Sequence, residues 1–159
     1  MKSIQTWLDE YGVSHQNPVN KTIHWICVPS IFFSIVGLFH SIKLPVELAN
    51  GIQLSAAMII LVGVVIYYMV LSRTLAVGML LFSLACLAGC IGIETVLGPD
   101  STVKLWMICI GIFVAAWIVQ FYGHEIEGAK PSFLKDLQFL MIGPAWLMSF
   151  IYKKLGVAL

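Results

Sequence analysis

The stretch Tyr11-Gly12-Val13-Ser14-His15-Gln16-Asn17-Pro18-Val19-Asn20-Lys21-Thr22-Ile23-His24 is polar and runs straight into a long apolar segment. Asn17 is a natural N-cap, and Pro18 fits the first helical position, where its missing N–H leaves no bond unmade. The pair predicts a helix that begins at residue 18. Such a helix sets Asn20 and His24 four residues apart on one face. His15 then precedes the helix and is free to fold back over its mouth. Two imidazoles and an amide would crowd one end of a membrane-bound helix.

Composition decides the solvent. The chain has 159 residues, of which 60% are hydrophobic and 11% charged. A typical soluble domain is about 25% charged. The expected class is an all-α, multi-pass membrane protein forming a single integral domain over residues 1–159. Net charge is +1 and there is no basic run, which argues against a nucleic-acid partner. No signal peptide is expected, because Gln5, Asp9, Glu10 and His15 stand where its apolar region belongs. Cys27, Cys86, Cys90 and Cys109 all lie in apolar segments without a C-x-x-C pair. They read as small hydrophobes rather than zinc or iron–sulfur ligands.

A membrane span needs about 20 mostly apolar residues. Four segments qualify: 23–41, 51–71, 74–97 and 103–123. They are separated by Ser41 to Asn50, by Ser72-Arg73 and by Gly98-Pro99-Asp100-Ser101. The very short break at Ser72-Arg73 forces its two spans to be antiparallel neighbours. A C-terminal helix over 133–153 carries Gly143-Pro144 inside its apolar part. It is expected to be re-entrant or interfacial, with a fifth span as the alternative. Four crossings return the chain to its starting side. That side then holds Lys2, Lys21, Arg73, Lys130, Lys135, Lys153 and Lys154, and the other only Lys43 and Lys104. Lys and Arg concentrate in the cytoplasm, so both termini and the first polar block are expected there.

A second polar block, Gln120-Phe121-Tyr122-Gly123-His124-Glu125-Ile126-Glu127, closes the fourth span. Gln120, His124 and Glu127 fall at i, i+4 and i+7, one helical stripe. Gly123 permits close backbone approach. An even number of crossings brings His15, His24 and His124 to one membrane face. His40 follows His24 by about 24 Å of helix and is expected at the opposite side as an interfacial histidine. Three neutral imidazoles with open positions suit Fe(II), Zn(II) or Cu(II). Glu127 is a further candidate ligand, or an acceptor that orients a histidine. Asn17, Asn20 and Gln120 are expected to hydrogen-bond an imidazole or a substrate carboxylate. The competing reading makes all these groups caps and hydrogen-bonding glue between helices. Tyr67 and Tyr68 would line an entrance or form an aromatic belt.

The pattern His15-x-Asn17-Pro18-x-Asn20-x3-His24-x3-Val28-Pro29, followed by Gln120-Phe121-x-Gly123-His124-x2-Glu127-x3-Pro131, resembles the membrane-embedded 2-hydroxy fatty acid dioxygenases. The ending, Phe133-Leu134-Lys135-Asp136 with Gly143-Pro144-Ala145-Trp146, is similar to the small bacterial members. Tyr122 departs from the small aliphatic residue usual in the family. The resemblance implies a non-haem Fe(II) enzyme that uses O2 to convert a 2-hydroxy fatty acid into a fatty acid one carbon shorter, as in fatty acid α-oxidation. It carries His15, His24 and His124 over as motif histidines and also matches His40. It places the enzyme in a bacterial inner membrane, with an endoplasmic-reticulum membrane as the alternative.

Rival functions make different demands. A transporter needs polar groups through the bilayer centre, and Glu94 is the sole acid expected within a span, near one end. Di-iron hydroxylases need many more histidines than four. A scaffold without chemistry would carry no stoichiometric transition metal.

Overall fold

The computed structural model describes residues 2–48, 51–128 and 133–159, with side chains in the last helix from residue 139 onward. The protein is mostly helical. In chain order it comprises α1 (Ile4–Val13), α2 (Pro18–His40), β1 (Lys43–Glu47), β2 (Gln53–Ser55), α3 (Ala56–Leu71), α4 (Arg73–Leu97), α5 (Leu105–Glu127) and α6 (Phe133–Leu155). Helix α1 has no counterpart among the expected segments. Ser3 starts it, accepting the Thr6 N–H at 3.2 Å.

Helices α2, α4 and α5 are long and apolar enough to cross a membrane. Outward-facing apolar side chains such as Val62, Val77, Leu81 and Ile118 are more than half exposed, as lipid-facing groups are. The expected apolar segment at 51–71 is helical only from Ala56. Its first residues belong to an antiparallel hairpin pairing Lys43 with Ser55 and Glu47 with Gln53, with a register irregularity between the pairs. Gly51, at φ 75°, takes the left-handed conformation beside that turn. The helix itself is 16 residues long, about 24 Å by helical rise, against a hydrocarbon core of about 30 Å. Hydropathy alone could not separate apolar strand from apolar helix at this junction.

Helix α2 is the central element. Asn17 Oδ1 accepts the Val19 N–H at 2.9 Å with Pro18 in the first turn, and the helix runs unbroken through Pro29. It meets α5 along a seam of small and polar residues. On α5 the buried positions are Leu105, Cys109, Ala116 and Gly123. A Cβ on Gly37 of α2 would strike Cys109 Sγ, and one on Gly123 would lie 2.5 Å from Asn20 Oδ1. Lipid tails are as apolar as leucine, so helices in a bilayer associate through close packing of small residues rather than a hydrophobic drive. All four cysteines are buried and free.

Helix α6 is bonded to the bundle where α3 ends and α4 begins. The Tyr68 hydroxyl, at the end of α3, donates to the Met141 carbonyl. The Tyr152 hydroxyl donates to the Thr74 carbonyl, near the start of α4, at 2.7 Å. Residues eleven positions apart on α6 thus touch the same end of the bundle. Tyr68 is fully buried, so it fastens α6 and belongs neither to an entrance nor to an exposed aromatic belt. Asn50, Lys130 and Pro131, and the side chains of Phe133, Leu134, Lys135 and Asp136, lie outside the described parts.

Candidate metal centre

Three separate elements deliver one histidine each. His15 lies in the link between α1 and α2, His24 in the second turn of α2, and His124 in the last turn of α5. Their candidate ligand atoms all fall within 4.8 Å of one another. Ring centroids are 4.2 Å apart for His15–His24, 5.0 Å for His24–His124 and 5.5 Å for His15–His124. His15 and His24 are almost wholly buried.

The backbone explains why His15 folds back. A helix leaves its last carbonyls unpaired, and the residues after α1 satisfy them. The Gly12 carbonyl accepts the His15 backbone N–H at 3.0 Å and the Gln16 side chain at 2.5 Å. The Tyr11 carbonyl accepts from His15 Nδ1 at 2.6 Å. The Tyr11 ring stacks on the imidazole with centroids 4.1 Å apart and planes 9° from parallel, and Trp146 of α6 packs beside it at 5.4 Å.

Tautomers follow from these bonds. A carbonyl can only accept, so Nδ1 of His15 carries the hydrogen and Nε2 carries the lone pair. The same holds for His24, whose Nδ1 donates to the Asn20 carbonyl at 2.9 Å. Holding one ring nitrogen by a carbonyl is the usual way a ligand imidazole is oriented. His15 Nε2 and His124 Nδ1 are buried and find no hydrogen-bond partner among the described residues. Buried polar atoms are rarely left so. Burial holds the His15 pKa down, to about 4, against the opposing pull of the Tyr11 carbonyl and with further lowering from His124. His15 is therefore neutral at pH 7, as a metal ligand must be. The donor set, three imidazoles with two orphaned nitrogens, fits a transition-metal ion.

Glu127 stands apart from this set. Its carboxylate accepts the backbone N–H of Gln16 at 2.7 Å, that of Asn17 at 2.9 Å, and Asn20 Nδ2 at 3.0 Å. Asn20 Nδ2 also donates to the Ser14 carbonyl at 3.2 Å. Glu127 thus clamps the His15 link onto the end of α5 instead of facing the imidazoles. Gly128, at φ 71°, ends α5 just beyond it, its N–H reaching the His124 and Glu125 carbonyls. Asn17 is spent as the α2 cap. Gln120 lines the cavity beside the histidines, together with Tyr11, Trp117, Phe139 and Leu140. That cavity measures about 50 Å³.

His40 lies at the other end of α2 and takes no part. It is buried among protein groups at that end. Its Nδ1 pairs with Ser55 Oγ at 2.8 Å, and its Nε2 accepts from Lys43 Nζ at 2.9 Å. Lys43 in turn pairs with Glu94 at 2.7 Å. This network pins the hairpin to α2 and α4. Tyr11 and Trp146 were not singled out for a role by sequence. The four-residue step from Tyr11 to His15 carries the stack, but Trp146 has no local signal because it comes from α6.

The family model for 2-hydroxy-palmitic acid dioxygenase Mpo1-like proteins matches residues 1–155. The 2-hydroxy-palmitic acid dioxygenase MPO1 of Saccharomyces cerevisiae is 31% identical over 157 residues, covering 96% of this chain and 82% of the yeast protein. No solved structure matches the chain.

Proposed function

The chain belongs to the 2-hydroxy-palmitic acid dioxygenase Mpo1-like family, and from that membership we propose that it is an Fe(II)-dependent dioxygenase. Its substrates are 2-hydroxy fatty acids, cleaved between C1 and C2 with one O2 to give a fatty acid one carbon shorter, C1 leaving as CO2 and the remaining oxygen as water. The observation that carries this reading is the meeting of His15, His24 and His124, with their ligand atoms within 4.8 Å.

His15, His24 and His124 would hold the iron, which would supply Lewis acidity and activation of O2. The carbonyls of Tyr11 and Asn20 fix two of the imidazoles with their lone pairs inward. Gln120, on the cavity wall, hydrogen-bonds the substrate carboxylate. Asn17, Asn20 and Glu127 keep the His15 link closed over the site. Tyr11, Trp146 and Phe139 exclude water from it, which strengthens the polar contacts within.

The enzyme is a multi-pass protein of a bacterial inner membrane, with α6 along the interface. Lys2, Lys21, Arg73, Lys153 and Lys154 lie toward the histidine end, and Lys43 and Lys104 toward the other. That bias supports a topology with the site and both termini on the cytoplasmic side.

The test is elemental analysis of protein purified without a histidine tag or added metal, beside a 2-hydroxypalmitate cleavage assay under oxygen. Iron near one equivalent per chain, with release of the shortened acid, is expected. His24→Ala or His124→Ala is expected to lose both iron and turnover while the protein still inserts in the membrane. Retention of iron and turnover by both variants would reject the site.

A further inference from the structure

The histidine cavity, at about 50 Å³, has room for small groups but not for a long alkyl chain. A second space adjoins it. A groove of about 760 Å³, lined only by apolar and aromatic side chains, shares Trp117, Phe121 and Leu140 with the histidine cavity. It runs between α2, at Ile35 and Leu38, and α5, at Val114 and Ile118. Both sets of residues lie away from the histidine end: Val114 and Ile118 near the middle of α5, and Ile35 and Leu38 nearer the His40 end of α2. Its volume is within the range of small-molecule sites, about 300–1,000 Å³.

We propose, resting on the function above, that this groove receives the acyl chain of the substrate, which enters sideways from the bilayer. Three observations support one occupant. The groove opens outward, since Val114 and Ile118 are 50% and 63% exposed on a lipid-facing helix. It is continuous with the site through the three shared residues, so a chain lying in it brings its polar end to the histidines. Its length also fits: Phe39, at the far end of the groove, follows His24 by fifteen residues on α2, about 22 Å by helical rise. That is longer than one leaflet of a hydrocarbon core of about 30 Å, so the groove can take a whole membrane acyl tail. Trp117 stands at the junction, and its indole Nε1 is buried without a partner among the described residues. A carboxylate or hydroxyl oxygen at the mouth of the cavity supplies the acceptor it lacks. The groove thus sets which chain lengths are accepted, with Val114 partway along it.

The experiment uses full-length protein in lipid nanodiscs. The first arm is photolabelling with a 2-hydroxyhexadecanoic acid bearing a mid-chain diazirine, read by peptide mass spectrometry. Labels on residues 113–121 of α5 or 35–39 of α2, suppressed by excess unlabelled 2-hydroxyhexadecanoic acid, are expected. Labelling confined to residues outside the groove, or labelling within it that the acid does not suppress, overturns the proposal. The second arm compares chain-length profiles of wild type, Val114→Trp and a bulk control on another lipid-facing helix, Ile66→Trp. Val114→Trp is expected to lower kcat/KM for the sixteen-carbon acid about tenfold relative to a ten-carbon acid, with iron content unchanged. Ile66→Trp should leave the profile as in wild type. An unmoved profile in Val114→Trp with turnover intact rejects the groove. Wild-type protein that holds iron yet cleaves no 2-hydroxy acid rejects instead the function on which the proposal rests.

Discussion

Glu127 Oε2 lies 2.9 Å from the backbone nitrogen of Asn17, so the last residue of α5 caps the chain just before α2 begins. The carboxylate also accepts Gln16 N–H and Asn20 Nδ2. One side chain therefore closes the link that carries His15 onto the helix that carries His124. Glu127→Gln keeps the shape but loses the charge and one acceptor. It is expected to weaken metal binding about 10–100-fold, the usual cost of disturbing the groups that orient metal ligands. Stability should fall by about 1–2 kcal/mol, allowing for the part exposure of the carboxylate. Metal titration with a competing chelator checks this. Complete loss of metal, as expected for His124→Ala, would instead make Glu127 a ligand.

Gly123 lets α5 approach α2 beside the histidines, and a Cβ there would sit 2.5 Å from Asn20 Oδ1. Gly123→Ala is expected to push the two helices apart at a cost of about 1–3 kcal/mol. Because Asn20 also holds the Ser14 carbonyl and Glu127, activity should fall more than ten times while the protein remains inserted. A crossing unaffected by the methyl group would appear as wild-type turnover and wild-type thermal stability.

The metal-free protein should lose stability on mild acidification. His15 has its pKa lowered to about 4 by burial, from an ordinary 6.5. Between those values the unfolded chain binds the proton and the folded chain does not. Stability is therefore full above about 6.5, falls as pH drops toward about 4, and changes no further from this group below that. Unfolding curves in detergent at several pH values check the sign, with His15→Gln as the comparison that flattens the slope. A wild type that gained stability over this range would contradict a neutral, buried His15.

His40 belongs to a different structure at the opposite end of α2. Its ring is fully buried between Ser55 and Lys43. His40→Ala is expected to destabilise the protein by about 1–3 kcal/mol, since it leaves buried partners unsatisfied, yet to bind iron in the same ratio as wild type. Elemental analysis of the folded fraction decides the matter. Loss of iron from protein that stays folded would bring His40 into the metal site.

The sequence alone determined the local features and the class. An apolar composition with few charges points to a membrane solvent, and three helices are long and apolar enough to cross one. Asn17 and Pro18 form the start of α2 because their capping chemistry depends on neighbours in the chain. The stripe of Gln120, His124 and Glu127 is a consequence of helical period, and His40 lies far from His24 because rise per residue fixes that distance. Tertiary structure decided the rest. Whether residues 51–55 start a helix or a strand depended on their pairing with 43–47. Where α6 packs depended on its contacts with Tyr68 and with Thr74 on two other helices. Glu127 sits on the same face as His124, but its role as a clamp required backbone N–H groups more than a hundred residues earlier in the chain. Spacing along one helix says which groups can face one way, and only the packing of separate helices says what they meet.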